Sequence, residues 1–544
     1  MSLFLGIDVG TGSARAGVFD RTGRLLGHDA KGIETYRPAP DFVQQSSAEI
    51  WSAVCAAIRG ALDNAGTDPA QIIGMGFDAT CSLAVAGANG TPVTISPNGE
   101  PDQDVILWMD HRAMDDAYEI NALGGAPLEY VGGEISPEMQ LPKLRWLKRE
   151  LPQSWAAVER FWDLPDWLVH RATGGETRSL CSTVCKWTYL GHKGQAGEGW
   201  DDAFLAKIGL AELSENDHAA IGHTLAPPGT NCGGLSETAA KELGLLPGTA
   251  VAASMIDAHA GALGTLGMEL GDDNITQRLA MIAGTSTCHI GLTRDPVFVP
   301  GVWGPYYGVV LPDAWALEGG QSAAGALLDA VIARHGATAE LTAQAKSRGK
   351  RITDLLEALL AAKGDDISQL AAHRHIQPDF HGNRSPLAQP WRHGGIDGLT
   401  LDTGPDDLAL DYLATVQGLA YGTRQIMEAM TAAGASFDTL VLSGGLAKNK
   451  LYLQEHADAT GCTLLVPHQA EPVLAGSAML GAVAAGAFDT LPAAMAAMSG
   501  TGTTITPRGS KAADFHNRKY RVFQKMQADH AAYRDIMNEK DTTQ

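Results

Sequence analysis

Two stretches, 274 positions apart (Gly10 to Gly284), repeat one design: apolar strand, glycine and hydroxyl turn, apolar strand. The first passes through Asp8-Val9-Gly10-Thr11-Gly12-Ser13 and the second through Gly284-Thr285-Ser286-Thr287. Their separation is close to half of the 544 residues, so a duplicated α/β architecture with one such hairpin per half explains it economically. Gly10 and Gly12 let backbone N–H groups approach phosphate oxygens, and Thr11 and Ser13 add donors. Asp8 sets a carboxylate beside them, where hydrated Mg2+ can bridge to phosphate. An ordinary glycine-turned hairpin is the plain alternative for either stretch alone.

A third element strengthens the pattern. Leu440-Val441-Leu442 runs straight into Ser443-Gly444-Gly445, and a helix is expected from Tyr452 to Thr460. Paired glycines at a strand-to-helix turn let a flat ring or ribose rest on bare backbone; a tight connection is the competing explanation.

Length and composition narrow the class. A chain this long is expected to form two or more domains. With 45% hydrophobic and 19% charged residues it reads as soluble and globular. The net charge of −22 argues against a nucleic-acid groove. Seven cysteines, an odd number, suggest free thiols in a cytoplasmic protein. Cys181 and Cys185 have the look of a metal pair, but no neighbouring histidine completes a set in sequence, so buried thiols are expected. Asp8 falls inside any would-be signal core, and the small-residue run Ala475 to Gly486 reads as a packed helix, not a membrane span.

Strands alternate with helices through the first half. Ile50, Trp51, Val54, Ile58 and Leu62 repeat at helical spacing over 48–65. Ile72 to Phe77 reads as a strand delivering Asp78-Ala79-Thr80-Cys81-Ser82 at its carboxyl end, where ligand residues gather in α/β sheets. Helices are expected over 141–151 and 154–160, with a loop over 92–104. The halves divide near 260–275, where Gly261 to Gly271 offers a hinge. A charged helical insert follows at about 337–372, and the last thirty residues read as a helical brace that leaves a homodimer open.

Taken together the chain resembles the FGGY family of carbohydrate kinases, in the sugar kinase, Hsp70 and actin superfamily. The resemblance rests on the turns above, Gly76 to Ser82, Trp108-Met109-Asp110-His111-Arg112, Pro137 to Lys143, Asp163 to Leu168 and Cys181 to Trp187. It continues through Ile256-Asp257-Ala258-His259-Ala260-Gly261, Glu318-Gly319-Gly320-Gln321-Ser322 and Asp379 to Pro386. It implies two actin-like (ribonuclease H-like) α/β domains, 1–265 and 266–544, with a cleft between them. It also implies ATP and Mg2+ as cofactors, with Asp8 steering the metal.

By the same resemblance Gly10, Thr11, Gly12, Ser13, Gly284, Thr285 and Ser286 hold the triphosphate, and Gly444, Gly445 and Asn449 lie against adenosine. Asp257 becomes the base that accepts the hydroxyl proton, although an aspartate there also suits a helix N-terminus. Asp78, Thr80, Cys81, Ser82, Asp110, Lys186 and Glu318 join it around the sugar, a set most like the ribulokinase branch. Glu318 could instead cap a helix over 321–330, and Lys186 could be a paired structural charge. The expected reaction is ATP-dependent phosphorylation of D-ribulose. L-ribulose, D-xylulose and ribitol are the competing substrates, and a non-catalytic sugar sensor or ATP switch is the alternative of another class.

Overall fold

The computed structural model describes residues 2–269 and 275–538. The first sheet contains β1 (Leu3–Val9), β2 (Ser13–Phe19), β3 (Leu25–Gly32), β4 (Ile72–Ala79), β5 (Asn231–Gly234) and β6 (Ala250–Ala252), in the order β5-β6-β4-β1-β2-β3. A short strand, β7 (Met255–Ile256), also pairs with β4. The second sheet contains β8 (Arg278–Ala283), β9 (Thr287–Thr293), β10 (Trp303–Tyr307), β11 (Trp315–Gln321), β12 (Thr439–Ser443), β13 (Thr463–Pro467) and β14 (Gly502–Ile505). Its order is β10-β11-β9-β8-β12-β13-β14.

The two sheets superpose as patterns. β1 pairs antiparallel with β2 and parallel with β4, as β8 does with β9 and β12. Outward from these, β3 matches β11, β6 matches β13, and β5 matches β14, with the same parallel or antiparallel sense at every step. The duplication suggested by two hairpins therefore extends over six strands of each half.

Alternation along the strands divides the apolar side chains into three cores. Leu5 and Ile7 pack outward with Ile50, Val54 and Ile58 of α1 (Ser47–Ala65). That helix begins where Ser46 accepts the Glu49 N–H and ends at left-handed Gly66. Leu279, Met281 and Leu442 pack outward in the second half with Tyr412 and Leu419. Between the sheets, Phe4, Ala280 and Val441 face a shared core.

Two helices fill that middle layer: α2 (Asp257–Leu266) and α3 (Pro472–Ala484). They pack against each other, but each also crosses over. α2, from the first half of the chain, covers β8; α3, from the second, covers β1 and β4. Backbone contact makes this possible. A Cβ on Gly6 would fall 2.0 Å from the Leu474 carbonyl oxygen, and one on Gly476 2.0 Å from that of Ala260. The run Ala475 to Gly486 is accordingly a core helix, and no helix among the described residues is long and apolar enough to cross a membrane.

Local departures have local causes. Gly261 and Gly264 lie inside α2, where the sequence suggested a hinge, and Gly271 lies outside the described residues. The helix expected over 154–160 stops at Ala157, because Arg160–Asp163 pairs as a strand with Leu83–Ala86. The insert forms helices Thr338–Ser347 and Ile352–Ala361, and the terminal brace is the helix Ser510–Asn538. All seven cysteines are free thiols.

Candidate active site

Three adjacent parallel strands of the first sheet end in three carboxylates. Asp8 on β1 is the register partner of Asp78 on β4, and Met255 on β7 is the partner of Asp78 two residues before Asp257. Parallel register puts such residues at the carboxyl edge, where α/β sheets build their sites.

Asp8 lies against Arg15, its partner across the hairpin, and Arg15 also reaches Glu471 at 3.3 Å. Asp78 accepts the Ser477 hydroxyl from α3. Asp257 opens α2 and accepts the Ala258 N–H at 2.7 Å. Burial, reinforced by the charge of Asp8, pushes Asp257 up to about 7. Burial also raises Asp8 despite Arg15, and burial beside Asp8 raises Asp78 well above the usual range.

Beyond Asp78 the strand delivers the hydroxyl cluster. Thr80 and Ser82 hydroxyls lie 3.0 Å apart, and Ser82 accepts the Trp108 N–H at 3.2 Å. The Trp108 indole donates in turn to Thr11 Oγ1 at 3.1 Å, tying the sugar cluster to the first turn. Cys81 is buried, and burial pushes its thiol up to about 12.

Both halves contribute to a second group, gathered around Trp303. Lys186, near the end of the helix Leu180–Trp187, and Glu318, on β11, are both buried. Burial works against the Lys186 charge, but Glu318 together with the Cys81 and Cys185 thiols overcomes it and holds the ammonium protonated. Burial likewise opposes the Glu318 carboxylate, yet Lys186 and Arg384 hold it below its usual range. Arg384 Nη2 donates to Glu318 at 2.7 Å. Trp303 carries Lys186 Nζ and the Arg384 guanidinium each 4.2 Å from its ring, a cation–π arrangement. Asp257 feels the charges of both groups, Asp8 in one and Glu318 with Lys186 in the other.

Two of the turns expected to hold nucleotide, at Gly284 and Gly444, lie together at the carboxyl edge of the second sheet. Ile282 is the register partner of Ser443, so Gly284 and Gly444 leave neighbouring strands side by side. Gly444 has a φ of 93°, and a Cβ there would fall 2.4 Å from the Ala283 carbonyl oxygen. Gly284 and Ser286 close their turn by a 2.9 Å backbone bond, as Gly10 and Ser13 do at 3.0 Å. Asn449 is buried and caps the following helix by accepting the Tyr452 N–H at 2.9 Å. Gly445 opens the short turn before it.

Asp110 is not brought to this group. Its two oxygens receive Arg112 Nε at 2.8 Å and Nη2 at 2.7 Å, with the Val43 N–H at 2.6 Å, and both side chains are fully buried. Arg112 lies over the Phe42 ring at 4.3 Å. The pair orders its own loop. Glu318 lies within a strand, not at a helix start. The lone thiol pair does gain a histidine: His259 Nε2 lies 3.8 Å from Cys185 Sγ, brought there by α2 from 74 positions away. Burial pushes that histidine down to about 4 and leaves it neutral.

Sequence reasoning passed over Arg384, Trp303 and Ser477. Arg384 follows Asn383 in a recognised motif, but its value as partner to Glu318 depends on a contact across 66 positions. Arg15 carried a signal as well, since on a two-residue turn it faces Asp8 by register.

Comparison with known proteins identifies the family. The N-terminal domain model of the FGGY family of carbohydrate kinases matches residues 3–264, and the C-terminal domain model of that family matches 279–485. The chain is 45% identical to a human FGGY carbohydrate kinase domain-containing protein, covering 98% of each. It is 41% identical to the D-ribulokinase YDR109C of Saccharomyces cerevisiae, covering 89% of this chain and 72% of that one. The xylulose kinase structure from Rhodospirillum rubrum shares the fold with a TM-score of 0.80 at 19% identity, covering 98% and 99%. The two domain models, which together span most of its length, place this chain in the FGGY family of carbohydrate kinases, which are phosphotransferases.

Proposed function

We propose that the protein transfers the γ-phosphoryl group of ATP to D-ribulose, giving D-ribulose 5-phosphate. The observation that carries this reading is the place of Asp257, which opens α2 two residues beyond the register partner of Asp78 and is lifted to about 7 by desolvation and the charge of Asp8. A base with that pKa is half deprotonated at neutral pH and strong enough to take a hydroxyl proton as the phosphorus–oxygen bond forms. Phosphoryl transfer asks little more of a protein than alignment and charge neutralisation.

Each group then has a task. Asp257 accepts the proton of the attacking hydroxyl. Lys186 donates to a sugar oxygen, and the Thr80 and Ser82 hydroxyls match the alternating hydroxyls of a linear ketopentose. Gly10 to Ser13 and Gly284 to Ser286 offer N–H and hydroxyl donors to the triphosphate, with Gly444 and Gly445 against adenosine. Asp8 suits Mg2+: its Oδ1 is buried without a protein partner, and carboxylate oxygen is the ligand this ion favours. Bound there, the ion would neutralise charge on the phosphates. Closure of the two halves would exclude water and limit wasteful ATP hydrolysis.

The 41% identity to a D-ribulokinase favours D-ribulose over L-ribulose, D-xylulose and ribitol. An ADP-release assay over these four, with glycerol as control, tests the assignment. D-ribulose is expected to give the highest kcat/KM; no turnover on any ketopentose overturns the substrate.

A further inference from the structure

We infer that Asp78 is a second carboxylate of the divalent-cation site, placed there by sheet register, and not a contact to the sugar. The inference rests on the kinase reading of Asp8 above and assigns that site a further residue.

Asp8 and Asp78 occupy the same register position on neighbouring parallel strands. Side chains alternate between faces, so register partners point the same way. Gly6 and Gly76, two residues earlier on each strand, both face α3: their Cβ atoms would fall 2.0 and 2.1 Å from the Leu474 and Ser477 carbonyl oxygens. Asp8 and Asp78 therefore emerge on the α3 face. Their exposures are 1% and 0%, and the register sets the two residues side by side.

The protein's own partners leave this pair unfinished. One oxygen of Asp8 meets Arg15, and one oxygen of Asp78 accepts Ser477. The second oxygen of each has no hydrogen-bond partner although both are buried. Buried polar atoms are ordinarily paired, and two orphaned acceptors side by side call for something shared between them. One guanidinium balances one of two negative charges. A hard divalent cation balances the rest and takes oxygen ligands, directly or through its own water. A proton held between the carboxyls would fill the same place until the cation arrives.

A sugar contact explains less. The hydroxyl cluster at Thr80 and Ser82 is tied to Trp108, whereas Asp78 is tied to Asp8 and to α3.

Mn2+ serves as the probe. Free Mn2+ is counted by electron paramagnetic resonance while the protein is titrated with a non-hydrolysable ATP analogue present, and D-ribulose binding is measured separately by calorimetry without metal. Asp78→Asn is expected to weaken Mn2+ binding about tenfold and to leave the D-ribulose dissociation constant within about twofold. Unchanged Mn2+ binding, or a sugar constant that rises as Mn2+ binding holds, overturns the inference. Should that variant fail to fold, the unaltered protein still decides it. An anomalous difference map with Mn2+ and the analogue is expected to put the ion within one water of Asp78, and an ion farther away rejects the assignment. These readings need no turnover, so an inactive substrate panel would sink the substrate assignment without touching them. Conversely, active phosphorylation with a metal distant from Asp78 would sink only this inference.

Discussion

The Ser254 hydroxyl, three residues before Asp257 in the chain, donates to Asp166 Oδ1 at 3.1 Å. The same oxygen accepts the Ser179 N–H at 2.7 Å, and the other accepts the Ser182 hydroxyl at 2.8 Å. Ser179 caps the helix that carries Lys186. One buried carboxylate thus joins the carrier of the base to the carrier of the lysine.

Replacing Asp166 by Ala would orphan those three donors inside the protein. A loss of about 3 kcal/mol is expected, on the scale of a broken buried network. Asp166→Asn keeps an acceptor for Ser179 and should recover at least half of the loss in a denaturant titration. Its D-ribulose KM should rise more than kcat falls, because Lys186 shifts relative to Asp257.

Asp257→Asn should remove phosphorylation by about 10²-fold or more, the scale of a lost general base. Nucleotide binding, followed by calorimetry, should be retained. For the parent, kcat/KM should fall as pH drops through about 7, since the proton acceptor must be ionised.

The same group affects stability with a definite sign. Its pKa is 3.8 in the unfolded reference and about 7 when folded, so the folded state binds the extra proton between these values. Stability therefore declines as pH rises from about 4 to about 7. Asp257→Asn should melt above the parent at pH 8, with the difference closing toward pH 4; equal melting temperatures at pH 8 would contradict the burial of this carboxyl.

Glu318→Gln leaves Lys186 and Arg384 facing each other across Trp303 without their anion. Removing one partner of a buried ion pair costs about 3–5 kcal/mol. Calorimetric melting should show a clear drop, and the sugar KM should rise as both cations move.

Gly476→Ala tests the seam between α2 and α3. Its Cβ would fall 2.0 Å from the Ala260 carbonyl oxygen, and backbone cannot yield as a side chain can. Overpacking of about 1–3 kcal/mol or more is expected, read as a lowered melting temperature. Gly445→Ala, whose Cβ meets nothing within 4 Å, should melt with the parent.

Local chemistry made much of this protein legible from the chain alone. The turns at Gly10 and Gly284, the α1 stripe and the glycine pair at Gly444 depend on residues within a few positions, so their alternation and spacing declare them. Even the two-fold architecture was visible, because a repeated turn needs no knowledge of what it packs against. Tertiary structure decided the partners. Asp110 met the Val43 N–H across 67 positions, Cys185 met His259 across 74, and Glu318 met Arg384 across 66. Asp78 joined Asp8, not the sugar cluster's hydroxyls, because parallel register aligns residues 70 positions apart. The helices α2 and α3 each crossed to the other half's sheet, a choice made by shape and burial over the whole molecule. A side chain's type states which bonds it can form, but only the assembled sheets and helices determine which groups lie near enough to form them.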